Sequence, residues 1–550
     1  MKKIIFLILI FGFIKVTISQ NNKYWVMFKN KNGTPYSVAT PTAYLTAKSI
    51  LRRSNQGIAI NISDLPVTPA YVTQIAAVPS VTVLYRSKWM NGIVVLTNTT
   101  AIASINTFTF VNSTNQVNKY KISLPVKINE EQDPNELNSN KISAVTSYSY
   151  GGANWQQKMI GADCLHNLGY RGQGMTIAVL DDGFDQVNTN PIFDSLFLQN
   201  RLLGTRDFVT GDTMVFEDDT HGAWCLSTMA GLKPGKIIGT APKANYWLLR
   251  TEDVSTETIS EEYNWIRGAE FADSVGADVC TTSLGYTQFD VGAPSLNNHV
   301  YADLNGKTAP MSIAANMAAR KGMIVLNAAG NEGTSGWFFI AVPSDADSII
   351  TVGAVDSLGN HANFSSYGPT SDGRTKPDLS ARGQKAYVCG PGVSCFFGNG
   401  TSFATPVLAG AVTCLWQSRK FATSQQIIKA LRATASNSAS PNNSIGWGIP
   451  NMCTAASSTL LSVENLKNES SEFKLFPNPF TNELKISLSR IEKNISISIC
   501  DVLGKNIYLE EIDNPSAVIS LNPANLFNTG VYFITISSPS FIITKKIMKQ

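Results

Sequence analysis

Charge is scarce in this 550-residue chain: Asp, Glu, Lys and Arg make up 15%, and the net charge is +4. No dense Lys/Arg run is present, which argues against a nucleic-acid partner. Long disorder is excluded from the other side, because 43% of the residues are hydrophobic. Beyond the N-terminus, no uninterrupted apolar run reaches the ~20 residues that span a bilayer. Histidine is rarest, with four in all. No cysteines pair as C-x-x-C, so their spacing points to no zinc site. No internal repeat occurs, so a solenoid is not expected.

What is present begins with a leader. Lys2 and Lys3 precede an apolar stretch over 4–14, and Thr17 and Ser19 supply small residues before a cut near Gln20. This pattern is that of a signal peptide over 1–19, and it implies export. Export permits disulfides. Cys389 and Cys395 flank a Gly-Pro-Gly-Val-Ser turn that they could bridge. Cys164, Cys225, Cys280, Cys414, Cys453 and Cys500 read as small buried hydrophobes.

Composition then divides the chain. Residues 20–124 are Cys-free and mix strand-like runs (24–28, 81–85, 93–96) with a helix-like run over 42–53. Within the latter, Arg52-Arg53 fits either a processing site or charges at a helix end. A polar linker follows over 125–151. Across 152–460, buried-strand runs (175–180, 246–249, 279–283, 323–328) alternate with helix-length segments (257–274, 311–321). That alternation predicts an α/β domain with a mostly parallel sheet covered on both faces. Active sites of such sheets lie at the C-terminal ends of strands. A second polar linker, 461–472, leads into 473–550. There Ile495, Ile497 and Ile499 alternate with serines, which predicts a small antiparallel β-sandwich.

Four segments of the middle region could carry chemistry. Thr176-Ile-Ala-Val-Leu-Asp181-Asp-Gly183 ends a buried strand on an acid. In Asp219-Thr-His221-Gly222, a histidine opens a helix. Asparagine follows a strand in Ala328-Ala329-Gly330-Asn331. In Gly400-Thr-Ser402-Phe-Ala-Thr-Pro406, a serine opens an apolar helix. Serine becomes a useful nucleophile when an imidazole takes its proton, and a carboxylate fixes that imidazole's tautomer. A helix N-terminus and an amide side chain can stabilise the resulting oxyanion. Each motif alone has a plain structural reading as a cap, a turn or a core residue. His166, His299 and His361 lack comparable context. Asp182 and Glu332 fit either substrate-facing acids or, more simply, solvated or locally bonded carboxylates; Cys225, four residues after His221, reads as a core residue.

Together, in this order, the four segments resemble the subtilase family of serine proteases, with its D-[ST]-G, H-G-T-H, A-A-G-N and G-T-S-x-A-x-P motifs. The order Asp, His, Ser is also that of subtilisin. The resemblance implies a subtilisin-like fold over 152–460 and Asp181, His221 and Ser402 as catalytic residues, with Asn331 in the oxyanion hole. Ser283-Leu284-Gly285 resembles the family's substrate-pairing edge, and Ala328, Ala329 and Gly330 the facing wall of the specificity pocket. Two positions depart from the pattern: Asp182 replaces the usual Ser or Thr, and Trp224 replaces the second His of H-G-T-H.

The flanks resemble known units as well. Tyr24-Trp25-Val26, Gly57-Ile58 and Arg86-Ser87-Lys88-Trp89 are similar to inhibitory α+β propeptides of bacterial subtilases. Leu475-Phe-Pro477-Asn478-Pro479, Val502-Leu-Gly504-Lys505, Gly530-Val-Tyr532 and Lys545-Lys546 resemble a type IX secretion sorting domain. The resemblance implies a zymogen whose propeptide is an intramolecular inhibitor, protein or peptide substrates, the type IX machinery as a partner, and a final location that is extracellular or on the cell surface. No cofactor is required by this chemistry. Structural calcium occurs in many subtilases, but no compact ligand loop stands out here. Two other readings stay open: a binding protein on an inactive scaffold, and a serine esterase, whose G-x-S-x-G elbow is absent around Ser402.

Overall fold

The structure, a computed structural model, describes residues 21–118, 148–217, 219–289, 298–458, 473–488, 495–501, 506–521, 528–537 and 542–550. The leader, most of the first linker and the whole second linker lie outside the described residues. The chain divides into two compact units, 1–462 and 463–550.

The first unit opens with a four-stranded antiparallel sheet built from β1 (Asn22–Phe28), β2 (Thr82–Ser87), β3 (Gly92–Thr97) and β4 (Val111–Asn118), in the order β2-β3-β1-β4. Helices α1 (Ala47–Asn55), α2 (Pro69–Ala76) and α3 (Thr99–Ile105) lie between these strands in sequence. The helix expected over 42–53 is interrupted. A 3-10 turn at Pro41–Ala43 comes first, and Thr46 then caps α1 by accepting from the Ser49 N–H.

A seven-stranded sheet follows. Its strands are β5 (Thr176–Asp181), β6 (Leu202–Asp207), β7 (Asn245–Arg250), β8 (Val279–Thr282), β9 (Ile324–Ala328), β10 (Ile350–Val355) and β11 (Leu379–Arg382), in the order β11-β10-β9-β8-β5-β7-β6. Every neighbouring pair is parallel. These strands are apolar without alternation because both faces are covered. Ile177 and Val179 join a core containing α4 (His221–Ala230) and α7 (Thr401–Ser418). Ala178 and Leu180 face the opposite core, with α5 (Ile259–Val275) and α6 (Pro310–Arg320). Helix α5 starts and stops on local signals: a Thr258/Glu261 capping box at one end and Gly276, at φ 83°, at the other.

The N-terminal sheet shares that second core through Trp25, Trp89, Val94 and Val117. Polar contacts reinforce the seam. The Ser87 hydroxyl and the Lys88 and Trp89 N–H groups all donate to the Glu270 carboxylate of α5. Arg52 and Arg53 do sit in the last turn of α1, but they are buried. Both donate to Asp273 at 2.5 and 2.8 Å, and Arg53 also bonds Asp64. Their seclusion removes the processing-site reading, since a protease needs exposed backbone. Gln56, just past α1, bonds the Gly322 carbonyl and the N–H of Ser424.

Cys389 and Cys395 do bridge the turn that they flank. Cys164 and Cys453, read from sequence as buried hydrophobes, are instead joined to each other across 289 residues of sequence. Cys225, Cys280 and Cys414 are free and buried, and Cys500 is free and half-buried.

The second unit is a β-sandwich. One antiparallel sheet contains Phe473–Phe476, Leu484–Leu488 and Val518–Leu521; the other contains Ile495–Asp501, Asn506–Ile512, Gly530–Ser537 and Ile542–Lys549. Ile486 from the first and Ile495, Ile497, Ile499 and Ile534 from the second share one core. Among the described residues, no helix is long and apolar enough to cross a membrane.

Candidate active site

Parallel strands bring their C-terminal ends to one edge, and that edge collects the residues singled out above. Asp181 is the last residue of β5, Ser283 follows β8, and Asn331 lies just beyond β9. Two helices start over the same edge: α4 with His221 as its first residue and α7 with Ser402 as its second. The close approach of α4 to β5 depends on Gly222, where a Cβ would run into the Gly183 carbonyl oxygen.

His221 Nδ1 lies 2.7 Å from Asp181 Oδ1, which also accepts from the Asp182 N–H at 3.1 Å. A carboxylate at Nδ1 holds the proton there and leaves Nε2 as an acceptor. Asp181 is wholly buried, and its Oδ2 has no partner among the described residues. Burial pulls the His221 pKa down, but Cys225 and Asp181 push harder the other way, so the imidazole titrates well above 6.5. Ser402 Oγ donates to the Ser283 carbonyl at 3.3 Å, so rotation of the hydroxyl is needed for it to engage His221. Catalytic hydrogen bonds commonly tighten only with substrate bound. The Ser402 carbonyl accepts from Ser283 Oγ at 2.8 Å and from Cys225 Sγ at 3.4 Å, which pins the first turn of α7 beneath the cleft. Asn331 Oδ1 accepts from both the N–H and the hydroxyl of Thr401. Its Nδ2 donates no hydrogen bond among the described residues.

His221, Ser402 and Asn331 line one cavity of about 280 Å³, together with Ser283, Leu284, Gly285, Ala328 and Gly330. Ala329 does not line it. Its N–H bonds Val352 and its carbonyl accepts from Ala341, so it lies behind the wall. Asp182, which the sequence leaves as either a substrate-facing or a solvated or locally bonded acid, is buried rather than solvated. It accepts from the Gly222 N–H at 3.1 Å and lines the cavity. Burial and the Asp181 charge push its carboxyl well above the usual range. Glu332 lines the cavity too and bonds Ser335 Oγ at 2.5 Å. Trp224, at the second departure, packs edge-on against Phe396. The other histidines are placed elsewhere: His166 bonds Tyr150 and the Thr240 carbonyl, His299 bonds Glu262, and His361 contacts Tyr367.

Sequence reasoning missed Glu252 and Glu257, which also line the cavity. Their only signal was acid density between β7 and α5. The carboxylates of Glu252, Glu257 and Glu261 have oxygens within 4.8 Å of one another, and Asp181, His221 and Cys225 form a second such group of potential metal ligands.

Comparison with known proteins gives the fold a lineage. Residues 172–448 match the subtilase family. The chain belongs to that family. Relatives of this subtilase include Subtilisin NAT of Bacillus subtilis subsp. natto, 32% identical over 280 residues, which are 50% of this chain and 64% of the relative. Subtilisin of Bacillus pumilus is 32% identical over the same share of this chain and 89% of its own length. Subtilisin Savinase of Lederbergia lenta is 29% identical over 290 residues, 52% of this chain and 93% of the relative. The match thus spans a little under two thirds of the first of these. On either side of the subtilase domain, residues 23–135 match the peptidase S8 propeptide domain of Bacteroidota, and residues 474–550 match a secretion system C-terminal sorting domain. The sorting domain marks this subtilase for secretion, to the extracellular space or the cell surface.

Proposed function

We propose that this chain is a secreted serine endopeptidase, made as a zymogen that processes itself. The observation that carries the reading is the 2.7 Å bond from His221 to Asp181, in a cleft also lined by Ser402 and Asn331. His221 Nε2 takes the Ser402 proton as Oγ attacks the scissile carbonyl carbon. The oxyanion accepts hydrogen bonds from Asn331 Nδ2 and the Ser402 N–H, at the positive end of α7. As the C–N bond breaks, His221 returns the proton to the leaving amine. Water then repeats the sequence and releases the acyl group from Ser402. Asp181 keeps the imidazole in the useful tautomer throughout. Ser283, Leu284 and Gly285 pair with the substrate backbone as an added strand. No cofactor enters these steps.

The N-terminal unit, anchored at Glu270 and Asp273, acts as folding aid and intramolecular inhibitor, and self-cleavage falls within 125–151. The type IX machinery is the export partner of the C-terminal unit. Intact-mass analysis of the full chain after a fluorophosphonate probe tests this reading beside a Ser402→Ala control. One adduct confined to the wild type, with loss of the N-terminal unit, supports it. If limited proteolysis of the propeptide leaves a folded domain that takes no probe, the reading fails and a binding scaffold remains.

A further inference from the structure

The cleft is acidic on one side. Asp182, Glu252, Glu257 and Glu332 line it, and among the described lining residues there is no lysine or arginine. Carboxylates on this side are held in place by the fold. Asp182 is bound to the Gly222 N–H, Glu252 accepts from the Tyr286 hydroxyl, and Glu332 accepts from Ser335. Tyr286 directly follows the Ser283–Gly285 edge, and its backbone is paired in both directions with Val342. Glu252 is therefore fixed to the wall along which an added strand would run.

Glu252 and Glu257 stand over a third acid. Glu261 is buried, and its two oxygens accept from the Thr258 N–H at 2.7 Å and the Thr256 hydroxyl at 3.2 Å. Because Glu261 is committed to the protein, Glu252 and Glu257 are the members that face the cavity. Crowding of like charge in a substrate cleft is relieved when a cation arrives, and it penalises an anionic substrate.

We propose that the cleft selects peptides carrying lysine or arginine within the four residues before the cleaved bond, with Glu252 and Glu257 receiving the cation. The inference rests on reading the cleft as a peptide-cleaving site. A peptide cation fits the opening better than a resident metal ion, because Glu261, Glu252 and Asp182 already spend oxygens on protein donors while the cluster opens onto the cleft.

The test uses the full chain after self-processing and peptides identical except for lysine, its uncharged analogue norleucine, or glutamate at each of the four positions. At least at one position, kcat/KM for lysine should exceed that for norleucine by about tenfold, with glutamate poorest and the ratio shrinking as salt rises. Glu257→Gln and Glu252→Gln should each lower the lysine-to-norleucine ratio. Because the readout is a ratio, a general loss of activity does not mimic the effect. A ratio near one at all four positions overturns the proposal, as does a ratio unchanged in both variants. Repeating the series in chelator and in millimolar calcium adds a control: a ratio abolished by calcium makes the acids a metal site and overturns it too. An enzyme that labels at Ser402 but ignores the lysine sinks only this inference, whereas one that neither labels nor cleaves sinks the parent reading with it.

Discussion

Thr401 grips Asn331 twice: its backbone N–H and its hydroxyl each lie 2.9 Å from Asn331 Oδ1. With the oxygen end held, the amide's donors are aimed elsewhere, which is the orientation an oxyanion donor needs. Asn331→Ala should lower kcat about 10²–10³-fold with little change in KM, a magnitude set by the subtilisin case rather than by this structure. Thr401→Val keeps the N–H and loses only the hydroxyl bond, so kcat should fall ~2–10-fold. Steady-state kinetics on one peptide separates the two outcomes.

Asp181→Asn should preserve the fold and lower kcat by about 10⁴, since the amide would favour the wrong imidazole tautomer. Fluorophosphonate labelling of Ser402 should slow in parallel, while circular dichroism stays unchanged. Labelling at the wild-type rate would remove Asp181 from the proposed role.

A general base works only when neutral, so activity is lost as pH falls through its pKa. Burial alone would place His221 below 6.5, but Cys225 and Asp181 hold it well above. The acid limb of kcat/KM should therefore have a midpoint above 6.5, and the residual activity of Asp181→Asn should show that midpoint moved down, because the charge bonded to Nδ1 is gone. A pH profile of both proteins checks the sign.

Asp273 is buried against Arg52, Arg53 and Lys88, whose charges outweigh burial and keep its carboxyl below the usual range. Removing one member of a buried charged group leaves the others unpaired, at a cost of about 3–5 kcal/mol. In a Ser402→Ala background, where self-cleavage is blocked, Asp273→Ala should speed amide hydrogen exchange over 47–55 by ~10²–10³-fold. Unchanged protection would show that the apolar seam alone holds α1.

The parallel sheet could be read from sequence because burial on both faces writes itself as unbroken apolar runs. The strand expected over 175–180 is β5, shifted by one residue so that it ends on Asp181 itself. Asp181, His221, Asn331 and Ser402 were legible because each stands at a strand end or helix start with an unusual glycine context. Pairings distant in sequence were not legible. Nothing local to Cys164 or Cys453 announces the other. Arg52 and Arg53 have the spacing of helix-end charges, and only the docking of α1 on α5 makes them buried. The cavity acids were hidden for a related reason: Glu252 and Glu257 look like ordinary loop carboxylates until the fold sets them in the cleft wall, where Tyr286, from a different strand end, bonds Glu252.

The bond between Cys164 and Cys453 draws together the two ends of the subtilase domain, whose Cα atoms there are 5.9 Å apart. Cuts within 125–151 and 461–472 would both fall outside the ring that this bond closes. Trimming at either flank would thus leave a closed loop with two short tails at one place. A domain released among proteases, its own copies included, would offer them no long free terminus from which to unravel it.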